Sequence, residues 1–340
     1  MTRLAARTRL EDVAREAGVA KSTASRILNG TPGMTVRPET RQRVLDVARE
    51  LRYEPHAAAR GLRRAETGAL GMLIPDLEVP VYSQMVRGAV TRAFERGSAV
   101  LVAEDRDSQS REEIYAGLVR TGRIDGLMVA SIRARHPFRT LLADRGVPHV
   151  FVNRSVPGSG RNVTMDDEAL AGCAVEYLHG LGHSRMAFLG GPRLNDPSTR
   201  RVRGFRAAAE AIGLEAAVAI DTGDFRERSG VMQARRLLRD HPGVTAVITG
   251  GPPQAIGVYR AAWELEIDIP AQLSVVSCDD PPAADYLQPS LTAIKTPFAA
   301  VGAAAVDALL DQLAGGAPHD VVVATRPRIR PRGSTGPPRT

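Results

Sequence analysis

The stretch that most constrains this chain is Leu10 to Gly30, LEDVAREAGVAKSTASRILNG, which has the pattern of two short helices joined by a tight turn. Apolar residues recur at helical spacing in its first half, and Gly18 follows them where a left-handed helix cap favours glycine. A second helix is predicted from Lys21 to Asn29. The residues expected to face inward are Val13, Ala14, Ala17, Val19, Ala24, Ile27 and Leu28. The sequence therefore predicts a small helical hairpin near the start of the chain.

The second helix of this hairpin keeps an outer face of cations and hydrogen-bonding side chains. These side chains are Lys21, Ser22, Ser25, Arg26 and Asn29. A helix with such a face, held by a turn against another small helix, fits the major groove of DNA. The alternative is an ordinary amphipathic hairpin whose polar face is simply solvated.

Two segments, GVAKSTASRILNG and TRQRVLDVARELRYEPHAAARGLRR, resemble the DNA-binding head of the lactose-repressor (LacI/GalR) family of bacterial transcription regulators. The resemblance implies a helix-turn-helix head over residues 1–55, in which Lys21, Ser22 and Arg26 read bases. It also implies a hinge over residues 56–66, which in the family folds into a short helix on operator DNA.

Within the hinge, Leu62 matches the leucine that in the family wedges into the minor groove, and Ala59 lies on the same face. A segment too short to be a stable helix alone can be ordered by a groove and by its twin from a second subunit. The alternative is a plain basic linker. The complete set of expected DNA contacts is Lys21, Ser22, Thr23, Ser25, Arg26, Asn29, His56, Ala59 and Leu62.

A third helix is predicted from Pro38 to about Leu51, because proline is favourable at the first helical position. Its expected buried stripe is Val44, Leu45, Ala48 and Leu51. Thr8 and Glu11 have capping-box spacing and are expected to begin the first helix. Where the family usually has serine caps before helices two and three, this chain has Ala20 and Arg37, and a lost cap costs typically about 1 kcal/mol.

The excess positive charge lies entirely in the first 64 residues. The formal net charge is +7; residues 1–64 hold 14 Lys and Arg against 7 Asp and Glu, and the rest of the chain holds 31 of each. A basic head on a neutral body is typical of a protein that contacts the phosphate backbone. A merely basic tail is a weaker explanation, because these charges are interleaved with helix-core residues.

From Thr67 onward, apolar runs such as ALGMLIPD, AVLVAED and DGLMVAS alternate with amphipathic segments, the pattern of βαβ units and parallel sheets. A second such series begins at NVTMDDEALAGC. The segment LTAIKTPFAAVGAAAVDALLDQL is expected to return a strand and a helix to the first lobe. We therefore assign residues 67–165 with 295–326 to an N-terminal lobe, 166–294 to a C-terminal lobe, and 327–340 to a flexible basic tail.

The predicted fold class is thus a small all-α helix-turn-helix head followed by an α/β body of two lobes, each a doubly wound parallel sheet. This body is similar to periplasmic binding proteins, and in the LacI family such a body follows the head. The body motifs that resemble the family are VTMDDEALAGCAVEYLHGLGHSRMAFLGGP, STRRVRGF, LSVVSCDD and PSLTAIKTP.

Small ligands of two-lobed proteins bind where strand ends of the lobes face each other. Tyr82 follows the first strand and is expected to stack on or cover a ligand. The resemblance implies that Arg201 anchors the ligand and that Asp279 binds it, with Asp166 at the first crossover as a further candidate. The alternatives are that Asp166 caps the following helix and that Arg201 pairs with a carboxylate of its own lobe.

One loop departs from the family pattern. After the strand AVIT the family usually has Asn-Asp, whereas this chain has Gly250-Gly251-Pro252-Pro253. Glycine has no side chain, and proline offers neither a side-chain donor nor a backbone N–H. The loop therefore lacks a polar group that would bind a sugar, which points to a different ligand class or to a degenerate sensor.

Several function classes are disfavoured by what the sequence lacks. Cys173 and Cys278 are far apart, which fits a reducing, cytoplasmic setting and no metal site. The opening residues have no apolar core of a signal peptide, and no run reaches the roughly 20 apolar residues of a membrane helix. No cofactor-binding or catalytic motif is present, so we expect no enzyme and no cofactor.

The function predicted from the sequence is that of a transcriptional regulator, most simply a repressor. It would bind a pseudo-palindromic double-stranded operator as a homodimer, and a small-molecule effector, such as a sugar or related metabolite, would change its affinity. The alternative is a solute-binding protein of a transport system, which the two-lobed body fits equally well and the basic head does not.

Overall fold

The structure is a computed structural model that describes residues 8–28, 36–53, 67–104, 109–131, 137–214, 218–220 and 223–339. The chain divides into two compact units, one of residues 1–68 with 122–124 and one of residues 69–121 with 125–340. The first unit contains the head, and the second contains the two lobes of the body.

The head consists of three short helices: α1 (Leu10–Glu16), α2 (Lys21–Leu28) and α3 (Pro38–Glu50). Gly18 ends the first of them with φ of +62°, which confirms the predicted left-handed cap. The shared core is Val13, Ala14, Ala17, Ala24, Ile27, Val44, Val47 and Ala48. Leu45 and Leu51, which were expected in the buried stripe of α3, are half-buried at the rim of this core.

The first helix begins differently from the prediction. Its N-cap is Arg9, whose backbone N–H donates to the Asp12 carboxylate at 2.9 Å. The hydroxyl of Thr8 instead donates to the Leu51 carbonyl oxygen at 2.9 Å. The proposed Thr8–Glu11 capping box was therefore wrong, because a contact with the end of α3 engages the Thr8 side chain.

The N-terminal lobe is built on a six-stranded sheet in the order β11-β5-β4-β3-β1-β2, in which all the neighbours are parallel. Its strands are β1 (Ala69–Ile74), β2 (Ala99–Glu104), β3 (Gly126–Val129), β4 (His149–Val152), β5 (Asn162–Met165) and β11 (Val321–Val323). Its helices are α4 (Pro80–Glu95), α5 (Gln109–Arg120), α6 (Pro137–Asp144) and α11 (Phe298–Leu313).

The C-terminal lobe is built on a second six-stranded sheet in the order β12-β10-β9-β8-β6-β7, parallel except for the β10–β12 pair. Its strands are β6 (Met186–Leu189), β7 (Val218–Ile220), β8 (Ala246–Thr249), β9 (Ser274–Cys278), β10 (Thr292–Lys295) and β12 (Arg328–Arg330). Its helices are α7 (Asp167–Gly180), α8 (Asp196–Ala211), α9 (Glu227–Asp240) and α10 (Pro252–Glu264). The predicted head and two-lobed α/β body are confirmed.

The chain passes between the two sheets three times, after β5, after β10 and after β11. The strand LTAIK, expected to return to the first lobe, is β10 of the second sheet, paired with β9. Only the helix that follows it, α11, packs on the first sheet, and β11 supplies the returning strand. The position of LTAIK was therefore mistaken, because pairing partners distant in the chain decide where such a strand lies.

The C-terminal segment is an ordered part of the second lobe, contrary to the flexible tail we expected. Strand β12 pairs antiparallel with β10, and Ser334 is fully buried, with its hydroxyl donating to the Val275 carbonyl oxygen at 2.6 Å. The imidazole of His183 donates to the Gly336 carbonyl oxygen at 2.9 Å. Proline is tolerated here because β12 is an edge strand.

Helices α4 and α11 approach closely in the first lobe because each has a glycine at the contact. A Cβ atom on Gly302 would lie 2.0 Å from the Met85 carbonyl oxygen, and one on Gly88 would lie 1.9 Å from the Ala299 carbonyl oxygen. Both distances are far below van der Waals contact, so a side chain at either position would push the two helices apart.

Candidate functional site

The outer face of α2 is polar and accessible, as the sequence predicted. Lys21, Ser22 and Arg26 are exposed, whereas Thr23 and Ser25 are half-buried. The opposite face of the helix, with Ala24 and Ile27, is buried in the head core. The remaining expected DNA contacts, Asn29, His56, Ala59 and Leu62, lie outside the described residues.

Lys21 forms an ion pair within the head. Its ammonium lies 2.5 Å from the Glu11 carboxylate, and both side chains are about 60% exposed. The hydrogen bond and charge of Lys21 lower the pKa of Glu11. Exposed pairs of this kind contribute little to stability, so a DNA phosphate or base can compete for the Lys21 ammonium.

The body has a cleft between its two lobes, lined by residues that follow the carboxyl ends of strands in both sheets. The polar lining residues are Asn153, Arg154, Asn195, Arg201 and Asp279. The apolar lining residues are Val79, Pro80, Val81, Tyr82, Pro197, Phe225, Pro252, Pro253 and Phe298. Three of the four predicted ligand contacts, Tyr82, Arg201 and Asp279, are therefore brought together, as expected for loops at strand ends.

Arg201 lines the cleft and contacts two carboxylates and one backbone carbonyl of the C-terminal lobe. Its guanidinium donates to Asp167 at 2.8 Å and to the Gly250 carbonyl oxygen at 2.5 Å, and it lies 3.4 Å from Asp279. All three charged residues are buried. Arg201 therefore pairs with a carboxylate of its own lobe, as the alternative predicted, and it also lines the cleft.

Burial and the neighbouring charges shift the pKa values of Asp279 and Arg201 in opposite directions. Burial raises the pKa of Asp279 to about 6, although the Arg201 charge works in the other direction. For Arg201, burial opposes the charged form, but Asp279 and Asp167 more than offset it, so its pKa lies above the ordinary value. Asp279 also has φ of +80°, an unfavourable conformation for a residue other than glycine. Such strained backbone occurs mainly at functional sites, so it supports the cleft as a functional site.

Asp166 lies apart from the residues that line the cleft. Its carboxylate accepts a hydrogen bond from the Ala169 backbone N–H at 2.9 Å, as the N-cap of α7, and the residue is exposed. The geometry thus favours the helix-capping alternative. The next residue, Asp167, is the fully buried carboxylate beside Arg201; sequence reasoning passed over it because two adjacent aspartates look alike in a sequence.

The Gly250–Pro253 segment presents its backbone and two proline rings to the cleft. Pro252 and Pro253 form the first turn of α10. Phe225 lies against the two glycines, since a Cβ atom on Gly250 would be 3.1 Å from its ring and one on Gly251 would be 3.9 Å from it. The free volume left in the cleft is about 50 Å³, against roughly 300–1,000 Å³ for ordinary ligand pockets. A metabolite therefore requires the lobes or Phe225 to move.

Contacts across the mouth of the cleft hold the lobes in this arrangement. The Ser155 backbone N–H of the N-terminal lobe donates to the Asp196 carboxylate of the C-terminal lobe at 2.8 Å. The Arg226 guanidinium, beside Phe225 in sequence, pairs with Asp76 from the opposite lobe. These contacts break if the cleft opens, so they bias the body toward the closed arrangement.

The cleft residues that the sequence analysis missed include Asn153, Arg154, Asn195 and Phe225. Asn153 and Arg154 follow the strand VPHVFVN directly, and polar residues at a strand end were a signal that could have found them. The sequence has no comparable signal for Phe225, because this residue is far along the chain from the other residues that line the cleft.

Two negative observations apply to the described residues. Among the helices in the described ranges, none is both long enough and apolar enough to cross a membrane. Nor does any group of three or more His, Cys, Asp or Glu side chains within those ranges have the arrangement needed to hold a metal ion.

Comparison with known proteins agrees with this geometry. Residues 9–56 match the family described as bacterial regulatory proteins, lacI family, and residues 175–335 match the periplasmic binding protein-like domain. The chain is 32% identical to the ribose operon repressor of Escherichia coli (strain K12) over 330 residues, 96% of this chain and 99% of that protein. It is 34% identical over 344 residues to the HTH-type transcriptional regulator MalR of Streptomyces coelicolor, with 96% of each covered.

A solved structure with the same architecture is the lac repressor dimer bound to operator and the anti-inducer ONPF. It superposes with a TM-score of 0.84 at 26% identity and covers 97% of this chain and 99% of that one. Because the match covers both the head and the body, the similarity is not limited to the periplasmic binding protein-like fold of the body. The chain belongs to the LacI family of bacterial regulatory proteins.

Proposed function

We propose that this chain represses transcription as a homodimer on a pseudo-palindromic operator, and that a small molecule bound between its lobes sets its affinity for that operator. The chain is a DNA-binding transcriptional regulator by family, and the relatives compared above are regulators rather than enzymes. A protein that acts on chromosomal DNA works in the cytoplasm of a bacterium.

The observation that carries the DNA-binding role is the outer face of α2. Lys21, Ser22 and Arg26 are exposed on one short helix while its other face is buried in the head. Arg26 forms no ion pair with any described residue, so its guanidinium is available to the two acceptors of a guanine. A good bidentate contact of this kind contributes about 1–3 kcal/mol of base discrimination.

The body exposes apolar surface that suits a second copy of the chain. In the N-terminal lobe, Phe94 is 83% exposed and Val90 lies one turn before it on α4. Leu101, on the edge strand β2, is also exposed. In the C-terminal lobe, α10 exposes Ile256 and Trp263. Large exposed apolar groups mark interaction surfaces, and the lac repressor of the matching structure is a dimer bound to operator. We assign these groups to the subunit interface.

We propose that Tyr82, Arg201, Asp279, Asn153 and Arg154 contact the effector. Because the closed cleft leaves little free volume, binding is coupled to the angle between the lobes. A change of that angle in two subunits alters the separation of the segments that carry the heads. The effector shifts operator affinity only by its different affinity for the two lobe arrangements.

The test is selection of bound sequences from random double-stranded DNA by the purified full chain. A dominant palindrome is expected. Arg26→Ala should lose about 5- to 150-fold in affinity for it, the equivalent of one base contact, whereas the control Arg239→Ala, an exposed arginine on α9 of the body, should bind as the parent does. Salt-sensitive binding with no preferred sequence would contradict the proposal, because it would leave the head only phosphate contacts.

A further inference from the structure

Arg200 lies on α8 of the C-terminal lobe, one residue before the Arg201 of the cleft, and its side chain reaches the N-terminal lobe. That side chain is only 13% exposed. Its Nη1 donates to the carbonyl oxygen of Met165, the last residue of β5, at 2.7 Å, and its Nε donates to the Asp196 carboxylate at 3.0 Å. Met165 belongs to the first sheet, and Asp196 begins α8. The guanidinium of Arg200 therefore bridges the two lobes.

Asp196 adds a second hydrogen bond between the lobes. Its Oδ2 atom accepts from Arg200 and also from the Ser155 backbone N–H, which lies 2.8 Å away and belongs to the N-terminal lobe. If the cleft opens, Asp196 and Arg200 move with α8, whereas Ser155 and the Met165 carbonyl move with the first sheet. The closed arrangement therefore contains two hydrogen bonds between the lobes, and both depend on the position of Arg200 beside Asp196.

Arg200 and Arg201 share one fully buried carboxylate, that of Asp167. Its Oδ1 accepts from Arg201 Nε at 2.8 Å, and its Oδ2 lies 2.9 Å from Arg200 Nη2. The second contact is not aligned as a hydrogen bond, because neither Arg200 Nη2 nor Asp167 Oδ2 has a hydrogen-bond partner among the described residues. Buried polar atoms are almost always satisfied, and a charged pair is strongest when its N–H groups point at the oxygens. The Arg200–Asp167 pair is thus incomplete in the closed arrangement.

The Met165 carbonyl and the Asp167 carboxylate compete for the Arg200 guanidinium. The five donors of a guanidinium lie in one plane with fixed directions. The hydrogen bond to Met165 holds the plane in its present orientation, so alignment with Asp167 requires the guanidinium to turn and to leave Met165. The first orientation favours the closed lobes, whereas the second involves the C-terminal lobe alone. A side chain with two such positions can carry a change from one site to another.

We propose that Arg200 is a positioning residue that couples the state of Arg201 in the cleft to the angle between the lobes. A change that draws Arg201 away from Asp167 leaves this carboxylate with Arg200 alone. Arg200 then turns toward Asp167 and releases the Met165 carbonyl, so the closed arrangement loses a hydrogen bond. The inference rests on the proposed function, since it concerns the regulation of the same cleft, and it requires no contact between Arg200 and the effector.

The experiment measures hydrogen–deuterium exchange of the Ser155 backbone N–H in the full chain without DNA, resolved to single residues by mass spectrometry. Because this N–H donates across the lobes, its exchange reports the opening of the cleft. Arg200→Met removes the bridge and should speed the exchange about 10- to 100-fold, the effect of losing one hydrogen bond to a charged group. Arg200→Lys keeps the charge without the planar fork and should give an intermediate rate. The control Arg203→Met, which changes an exposed arginine of α8, should exchange as the wild type does.

Two variants of the shared cluster separate coupling from a purely structural role. Arg201→Met leaves Asp167 with Arg200 alone and should speed the exchange of the Ser155 N–H by about 5-fold or more, the lower end of usual coupling free energies. Asp167→Asn removes the charge that competes for Arg200 and should slow the exchange. A purely structural role predicts faster exchange in both variants. Faster exchange in Asp167→Asn would therefore overturn the proposal, even if Arg201→Met does not fold.

Two backbone N–H groups within the C-terminal lobe test for local fraying. The Ala169 N–H donates to Asp166 at the start of α7, and the Ser198 N–H donates to Asn195 at the start of α8. Their exchange should change little in Arg200→Met. If it speeds as much as that of Ser155, or if the Ser155 rate is unchanged, Arg200 does not hold the lobes together and the proposal is overturned.

These outcomes are separable from the proposed function. Exchange is measured without DNA, and operator recognition is tested by sequence selection with the wild type. A selected palindrome with unchanged Ser155 exchange in the variants overturns the coupling alone. The expected exchange pattern without a palindrome overturns the regulator and leaves the coupling of Arg200 to the lobe angle.

Discussion

Replacing Arg201 with methionine removes the charge that compensates two buried carboxylates. Its side chain is 4% exposed, and those of Asp167 and Asp279 are 0% and 3% exposed. Asp167 keeps a second partner, because the Arg200 guanidinium lies 2.9 Å away. Asp279 loses its nearest cation. We therefore expect the cost to fall mainly on Asp279 and on the Gly250 carbonyl oxygen, which loses its charged donor.

The loss of stability in Arg201→Met can be calculated from the protonation of Asp279. Each pH unit between a group's pKa and the solution contributes about 1.4 kcal/mol. Burial and the Asp167 charge both raise the pKa of Asp279, and Arg201 opposes them, so we expect Asp279 to be protonated at pH 7.5 in the variant. Protonation at that pH costs about 5 kcal/mol relative to an ordinary pKa of 3.8. In the wild type its pKa is about 6, so its ionised form already costs about 3 kcal/mol. The difference, about 2 kcal/mol, adds to about 1–3 kcal/mol for the lost hydrogen bonds.

The total of about 3–5 kcal/mol agrees with what breaking a buried ion pair usually costs. At pH 5.5 the wild-type Asp279 is already largely protonated, so the protonation part disappears and the penalty should shrink by about 2 kcal/mol. Urea unfolding followed by far-ultraviolet circular dichroism at both pH values measures this. The control Arg203→Met, two positions along the same helix and exposed, should change the free energy of unfolding by less than about 1 kcal/mol. A penalty for Arg201→Met that equals the control, or that is the same at both pH values, would refute the reasoning.

Three further predictions concern separate parts of the molecule. Asp279→Asn should remove a pH dependence: the folded pKa of about 6 lies above the ordinary 3.8, so the wild type loses up to about 3 kcal/mol of stability relative to the variant as pH rises from 4 to 7.5, measured by urea unfolding. Gly302→Ala, whose Cβ would lie 2.0 Å from a carbonyl oxygen of α4, should cost about 2–4 kcal/mol in thermal unfolding, while Gly180→Ala, with no atom within 4 Å of its Cβ, should be close to neutral. Glu11→Gln releases the Lys21 ammonium and should tighten operator binding about 2- to 5-fold in a low-salt shift assay; unchanged affinity would mean that Lys21 does not contact DNA.

The local structure of the head was predictable because its signals are short-range. Gly18 ends α1 with a positive φ, and the inward and outward residues of α2 follow the 3.6-residue period of the sequence. Thr8 was misjudged, since a contact with Leu51, 43 residues away, competes with the local cap. A capping rule considers only neighbours, and the free energy of a distant contact is invisible to it.

The cleft was predictable in position and only partly in chemistry. Its place after the first strand indicated Tyr82, because ligand loops follow the carboxyl ends of parallel strands, and the family resemblance indicated Arg201 and Asp279; all three line the cleft. Whether Arg201 is paired depends on which carboxylates the fold brings within 4 Å of its guanidinium. Charge pairing of this kind joins residues far apart in the chain, so no spacing rule shows it.

By itself, the sequence determined the helix-turn-helix head, the alternation of strands and helices in the body, and the placement of all excess charge in the first 64 residues. These properties follow from period, composition and turn chemistry, which act over a few residues. Only the tertiary structure decided that LTAIK joins the second sheet, that the C-terminal segment is an ordered edge strand and that the cleft is closed around Phe225. Each of these depends on which distant segments meet, and that choice is made by the free energy of packing the whole chain.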